Sequence, residues 1–407
     1  MWNNRNVLII LASEFVAGIG MWLGIIGNLE FLQNHVQSDF HKSFIIFLGL
    51  LMGILFGPTA GRAIDKFSKK KVLIYSGLFR AVTVSFMFIA IQTSNVVFMV
   101  LFIMCLNISA AYYFPAIQAT IPLVVSENRL LSLNGIHMNI NTIARIIGTA
   151  VAGILLIKIS LMMLYLYSML AYFIITIFNC FLKFEENVNT SSNPELEKHK
   201  TGFMETFKII KENRLVTLGL LLSFVPVFFI GSINLTVLKI SVLQDDAAIK
   251  GLLYTFEGVF FMFGASIIKR LSVGKNIIPI LIISASGIAI SEFLLFFAQY
   301  KSISIIAFSI IGFALGSFFP LLSTLFQKSV PKELHGRFFS FRNMLDRITF
   351  QIVLLSTGAL LDLIGLQKMV VVFGGFSVIL ITYYIFLQRR HPLTFVNDNH
   401  GIGASSA

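Results

Sequence analysis

Apolar runs about twenty residues long recur from one end of the chain to the other, with mostly short polar breaks between them. A run of that length is what a helix needs to cross a hydrocarbon core about 30 Å thick, where backbone N–H and C=O groups find no water and must be bonded within the segment. Twelve such segments can be drawn, at roughly 7–31, 44–62, 72–92, 96–121, 136–157, 161–182, 215–238, 249–268, 277–298, 303–326, 339–364 and 369–388. Composition points the same way. Of 407 residues, 57% are hydrophobic, 12% are charged and 42 are Phe, whereas a soluble domain carries about a quarter charged residues. The first run is longer than the apolar part of a secretion signal and lacks a small-residue exit, so it reads as the first membrane helix. Cys105 and Cys180 both lie inside apolar runs, without a partner at disulfide or metal spacing, and read as packing residues in lipid. Disorder, collagen and a disulfide scaffold are excluded, and an all-α membrane protein remains.

An even number of spans puts both ends on one side, and the basic residues say which. With the N-terminus in the cytoplasm, that side holds Arg5, Arg62, the cluster Lys66, Lys69, Lys70 and Lys71, the central basic loop, and Arg389 with Arg390. The opposite loops hold only Lys42, Lys158, Lys239, Lys250, Lys301 and Lys368. Arg80, Arg145, Arg342 and Arg347 fall inside apolar segments. The bias predicts cytoplasmic termini, and the expected location is a bacterial plasma membrane. It also explains the net charge of +12 by topology and anionic inner-leaflet lipid, not by nucleic acid.

The longest connection, residues 184–214, divides the segments six and six, into an N-terminal bundle at 1–183 and a C-terminal bundle at 215–390, with a cytoplasmic tail at 391–407. Its first part, E-E-N-V-N-T-S-S-N-P, reads as a flexible linker. Its second part places Phe203, Phe207 and Ile210 on one helical face and Lys208 and Lys211 on the other, as in a short helix lying on the membrane surface. A faint repeat relates the halves. Y-F-P ends at Pro115 in the fourth segment and F-F-P at Pro320 in the tenth, and each is followed by a second proline, Pro122 or Pro331. Duplicated halves are common in transporters.

Enzyme and pump motifs are missing. There is no G-x-x-x-x-G-K-[ST], H-E-x-x-H, G-x-S-x-G or Cys/His cluster. No enzymatic activity, cofactor or metal ion is expected, and uphill transport would have to run on an ion gradient or a partner protein.

Glycines 49, 53, 57 and 61 recur every four residues in the second segment and line one helix face, where a neighbour can approach closely. Beyond them, Gly61, Asp65, Lys66, Lys69 and Lys70 follow the spacing G-x-x-x-D-[RK]-x-x-[RK]-[RK]. At these residues the chain resembles the major facilitator superfamily, with Ser68 where that family usually has glycine. Two longer stretches extend the resemblance: Y-Y-F-P-A-I-Q-A-T-I-P-L-V-V-S-E-N-R-L-L-S-L-N-G from Tyr112, and F-Q-K-S-V-P-K-E-L-H-G-R-F-F-S from Phe326. They look most like the macrolide-efflux branch of drug:proton antiporters. Gly148, Ala152 and Gly153 in the fifth segment match the small, packing residues of the antiporter motif, but Thr149 stands where that motif has proline.

The resemblance implies two six-helix bundles around a central cavity that opens alternately to either side. It implies a latch as well, with Asp65 meeting the start of the eleventh helix and holding the cytoplasmic side closed. A carboxylate at a helix N-terminus gains roughly 0.3–1 kcal/mol, enough to bias two nearly balanced states.

Ionisable groups inside the membrane are costly unless paired or wet. Glu14 lies in the first segment and Glu257 is its counterpart in the eighth, and both are expected to carry protons. Arg145 is a cavity candidate, with Trp22, Asn28 and Phe256 as wall residues. Arg342, Asp346 and Arg347 are expected to form a gate, with an Arg342–Asp346 pair one turn apart. Glu292 is expected at an interface, Arg80 to snorkel or to pair structurally, and His137 to be an interface residue rather than a proton relay. The expected partners are a small molecule, protons and the bilayer, with the chain acting as a monomer. Proton-coupled efflux of small amphipathic compounds such as drugs or macrolides fits these features. A metallophore or siderophore exporter, a lysophospholipid transporter and a non-transporting membrane subunit are the alternatives.

Overall fold

In the computed structural model, the short polar breaks between apolar runs become helix caps. The structure describes residues 4–125, 127–184, 213–272, 274–331 and 334–390. The amphipathic stretch around Phe203, Phe207, Lys208, Ile210 and Lys211 and the tail beyond Arg390 lie outside the described residues.

Six helices come first: α1 (Arg5–His35), α2 (Asp39–Lys66), α3 (Lys69–Thr93), α4 (Val96–Val124), α5 (Glu127–Lys158) and α6 (Leu161–Cys180). Asn4, Ser38, Ser68, Asn95 and Ser160 precede α1, α2, α3, α4 and α6, and each side-chain oxygen accepts a backbone N–H of the following turn. Ser68 therefore caps α3 at the position where the resembled family has glycine. Ser94 closes α3 in the left-handed conformation (φ 53°). The second half comprises α7 (Arg214–Leu243), α8 (Ile249–Leu271), α9 (Ile277–Leu294), α10 (Lys301–Ser329) and α11 (His335–Arg390).

Eleven described helices are long and apolar enough to span a membrane. The eleventh has 56 residues and is broken by Gly365, whose φ of 75° and ψ of 175° have no place in a helix. Glycine adopts that backbone without steric cost. The two arms on either side of it correspond to the eleventh and twelfth apolar segments. Helix α5 starts nine residues earlier than the apolar run that announced it, since its polar first turns still satisfy their own backbone.

The described chain forms two compact units. The first contains α1–α6 together with Val237–Thr255, the end of α7 and the beginning of α8. The second contains the rest of α7 and α8 with α9–α11. In the first unit α1 packs on α5 and α6, α3 on α4 and α6, and α2 on α4. One of its buried clusters joins Val7, Ile10 and Leu11 to Leu73, Tyr113, Ile117 and Leu133. Another joins Phe31 and Leu32 to Val84, Met87, Phe102 and Tyr165. Lipid tails are as apolar as these side chains, so close packing and polar pairs hold the helices together.

The glycine stripe of α2 is packed over only part of its length. Gly49 lies against Ile103 and Asn107 of α4, whereas a side chain at Gly57 or Gly61 would meet nothing among the described residues within 4 Å. The expectation of close approach along the whole stripe is corrected there. In the second unit the contact is tighter: Gly312 and Gly316 of α10 face the backbone carbonyls of Glu257 and Phe261 on α8.

Candidate functional site

Glu14 is buried in the first unit, 3% exposed, beside the apolar cluster around Ile10 and Leu133. Its two oxygens are held from two different helices. Tyr113 of α4 donates its hydroxyl to Oε1 at 2.6 Å, and Nε2 of His137 on α5 lies 3.2 Å from Oε2. Asn141, one turn along α5, brings Nδ2 to within 3.4 Å of the same imidazole nitrogen. Arg80 of α3 is buried, with its guanidinium stacked over the rings of Tyr113 (4.8 Å), Phe114 (5.5 Å) and Tyr172 (5.4 Å). Its Nε and Nη2 find no hydrogen-bond partner among the described residues, so the rings carry the contact as cation–π interactions. The expectation that Arg80 snorkels is corrected, because a side chain only 4% exposed does not reach out of the protein.

Two turns along the same α1–α5 seam, the Arg145 guanidinium lies over the Trp22 ring at 5.9 Å, and Trp22 in turn packs against Tyr254 at 5.6 Å. Gly148 faces Ile19 and Trp22 of α1, while Gly153 faces Ala248 and Gly251 at the start of α8. Thr149, in place of the motif's proline, keeps its backbone N–H, and its hydroxyl donates to the Arg145 carbonyl at 2.9 Å. Asn28 accepts the Tyr165 hydroxyl at 2.6 Å and is thereby tied to α6.

The first unit also carries charges at the far ends of these helices. Asp39, at the start of α2, pairs with Lys42 at 2.8 Å and with Lys239. Glu30 of α1 pairs with Lys250 at 2.8 Å, and the Lys250 side chain is fully buried. Sequence reading placed all three lysines in loops and missed these pairs. Lys239 and Lys250 find their carboxylates on helices distant in sequence, where nothing local marks the pair, whereas Lys42 lies only three residues from Asp39 on α2.

In the second unit, Glu257 is 3% exposed on α8, and Phe256 beside it stacks with Phe260 at 6.5 Å. Arg342 and Asp346 approach to 3.6 Å, with Arg342 also over Phe326 at 4.8 Å, and Arg347 is exposed. Glu292 turns inward, accepting the Ser377 hydroxyl from the second arm of α11 at 2.8 Å. Of the proposed latch, the Asp65 side chain lies outside the described residues. Lys66 is exposed and sits over Phe67, and Lys70 donates to the Leu182 carbonyl at 2.8 Å, joining the start of α3 to the end of α6.

The residues that sequence reasoning left out of the site are Tyr113, His137 and Asn141. A signal was present. His137, Asn141 and Arg145 are spaced four apart in the fifth apolar segment, and such spacing places side chains on one helical face.

Long apolar helices in two units, with carboxylates and arginines buried among them, define an integral membrane transporter. The chain belongs to the major facilitator superfamily, whose model matches residues 10–350. It is a transporter and not an enzyme. It is 23% identical over 389 residues to an uncharacterized MFS-type transporter, YfiS, of Bacillus subtilis, covering 91% of this chain and 90% of that one. It is 30% identical to macrolide efflux protein A of Streptococcus pyogenes over 127 residues, 31% of each chain. The nucleoside transporter NupG has the same fold, with a TM-score of 0.68 at 17% identity over 95% of this chain and 99% of that one.

Proposed function

We propose that the protein exports small amphipathic compounds, such as drugs or macrolides, in exchange for protons by alternating access. The observation that carries this reading is the Glu14 carboxyl, buried in the first unit and held by a hydroxyl and an imidazole. An ionisable side chain buried in a membrane helix and held by groups from two other helices is a feature of proton pathways in transporters. The 127-residue likeness to macrolide efflux protein A supports the cargo class.

In this reading Glu14 and Glu257 exchange protons, and Arg145, Trp22, Asn28 and Phe256 line the path of the cargo. Gly61, Asp65, Lys66, Lys69 and Lys70 work with Arg342, Asp346 and Arg347 to control opening, and Gly148 and Gly153 provide close helix packing. The two functional bundles are residues 1–183 and 215–390. The protein works as a monomer in the bacterial plasma membrane with both termini in the cytoplasm, an orientation supported by the bias of Lys and Arg.

Uptake of erythromycin or a lipophilic cationic dye into inverted membrane vesicles tests it. A proton gradient should drive uptake in the wild type and fail to do so in Glu14→Gln. Good expression without gradient-dependent movement of either compound rejects drug export and turns attention to metallophores and lysophospholipids.

A further inference from the structure

His137, Asn141, Arg145 and Thr149 stand four residues apart on α5, so they stack along one side of the helix. Facing them, α1 presents Glu14 and, two turns further, Trp22. Between these points Gly18 meets Ala144 and Gly148 meets Ile19 and Trp22. The two helices are thus locked together over this stretch, and close-packed elements transmit displacement rather than absorb it.

At one end of the seam is a hydrogen-bond conflict. His137 Nε2 lies 3.2 Å from Glu14 Oε2 and 3.4 Å from Asn141 Nδ2. One ring nitrogen cannot serve both in the same proton state. Carrying a proton, Nε2 donates to the carboxylate and cannot accept from the amide. Bare, it accepts an N–H of Asn141, or the O–H of a protonated Glu14. The charged and titratable groups around the pair are Tyr113 on Oε1 from α4, Arg80 from α3 against that ring, and Tyr172 from α6 beneath the same guanidinium. A proton added to so buried a set changes its net charge where no water screens it, and uncompensated buried charge drives rearrangement.

We propose that His137 is a positioning residue that reports the proton state of Glu14 to the Trp22–Arg145 pair through Asn141 and α5. This rests on the reading of Glu14 as the coupling carboxyl. When Nε2 releases Asn141, the turn carrying that amide loses a restraint one turn from Arg145, and the guanidinium over the indole shifts. A protonated site thereby changes the wall that cargo would meet.

The chain has two tryptophans, Trp2 and Trp22, so Trp2→Phe leaves Trp22 as the sole reporter. The full-length variant in lipid nanodiscs would be followed by indole emission from about pH 8 to about pH 5, the range in which an imidazole exchanges its proton. The expected result is a reversible change in emission that is lost in Glu14→Gln, in His137→Gln and in Asn141→Leu, and retained in Glu257→Gln. Asn141→Leu leaves both Glu14 and His137 in place, so it decides the matter if His137→Gln fails to fold. A pH response unchanged in Asn141→Leu, or absent from the Trp2→Phe chain, overturns the proposal. The readout needs no transported compound. A retained response with no gradient-driven uptake would reject drug export and leave the switch standing, whereas gradient-driven uptake with no response would reject the switch alone.

Discussion

Glu14 and Glu257 have the same 3% exposure, one in the first helix of its half and the other in the second helix of its own, yet different neighbours press on them. Glu14 sits in a polar set drawn from α4 and α5. At Glu257 the backbone itself is closely approached, with Gly312 against its carbonyl and Gly316 against that of Phe261 one turn on. Both units combine polar ties with close helix approach. The first has the Glu30–Lys250 and Asp39–Lys239 pairs between helices, and Gly251 against the Thr149 carbonyl. The second has Ser377 donating to Glu292, and α8 and α10 brought together at Gly312 and Gly316. Where a carboxylate sits in the sequence therefore says less about its role than what other helices bring to it.

The largest effect is expected from uncovering a buried charge in the first unit. Glu30→Leu leaves Lys250 in a dry site, and such a loss costs about 3–5 kcal/mol, read as a lower midpoint in thermal unfolding of the detergent-solubilised protein. Adding Lys250→Met should recover most of that stability. A double variant as unstable as the single one would show that the pair is incidental.

Next comes proton coupling. Glu14→Gln should lower gradient-driven uptake about a hundredfold, the lower end of what a positioned acid or base contributes. Glu257→Gln should fall less. Equal losses in the two variants would erase the contrast drawn between the sites.

In the second unit, Gly316→Leu forces a side chain into the Phe261 carbonyl and should destabilise by about 1–3 kcal/mol, measured by the same unfolding experiment. Gly57→Leu, with no described residue within 4 Å of the added side chain's first carbon, should fall within about 0.5 kcal/mol. Comparable losses at the two glycines would mean that α2 has a close neighbour at Gly57. Tyr113→Phe is the smallest of the site changes, removing one hydroxyl hydrogen bond for about 0.5–1.5 kcal/mol. No loss of stability or uptake in Tyr113→Phe would separate that hydroxyl from the function of Glu14.

Much of the architecture was legible in advance because it is written locally. A span is a property of twenty consecutive residues, a cap is a property of one side chain and the next turn, and Gly365 breaks α11 through its own backbone. The candidate site was only half legible. Glu14 and Arg145 announce themselves as charges in apolar runs. His137 is 123 residues from Glu14 and Tyr113 is 99, and no local pattern reports which helices will be neighbours. Arg80 and Lys250 show the same limit: Arg80 was read as snorkelling or pairing structurally and Lys250 as a loop residue, and each is buried where aromatic rings or a carboxylate from elsewhere meet it.

The sequence by itself determined the membrane class, the number and approximate ends of the spans, the family signature after α2 and the presence of buried charge. These follow from hydropathy and short-range hydrogen bonding, which act within a segment. Only the tertiary structure decided that Glu14 meets Tyr113 and His137, that Gly312 and Gly316 receive a backbone while Gly57 and Gly61 meet none among the described residues, and that Lys250 is sealed against Glu30. Those outcomes depend on helix–helix packing, where the geometry of contact between distant segments chooses the partner.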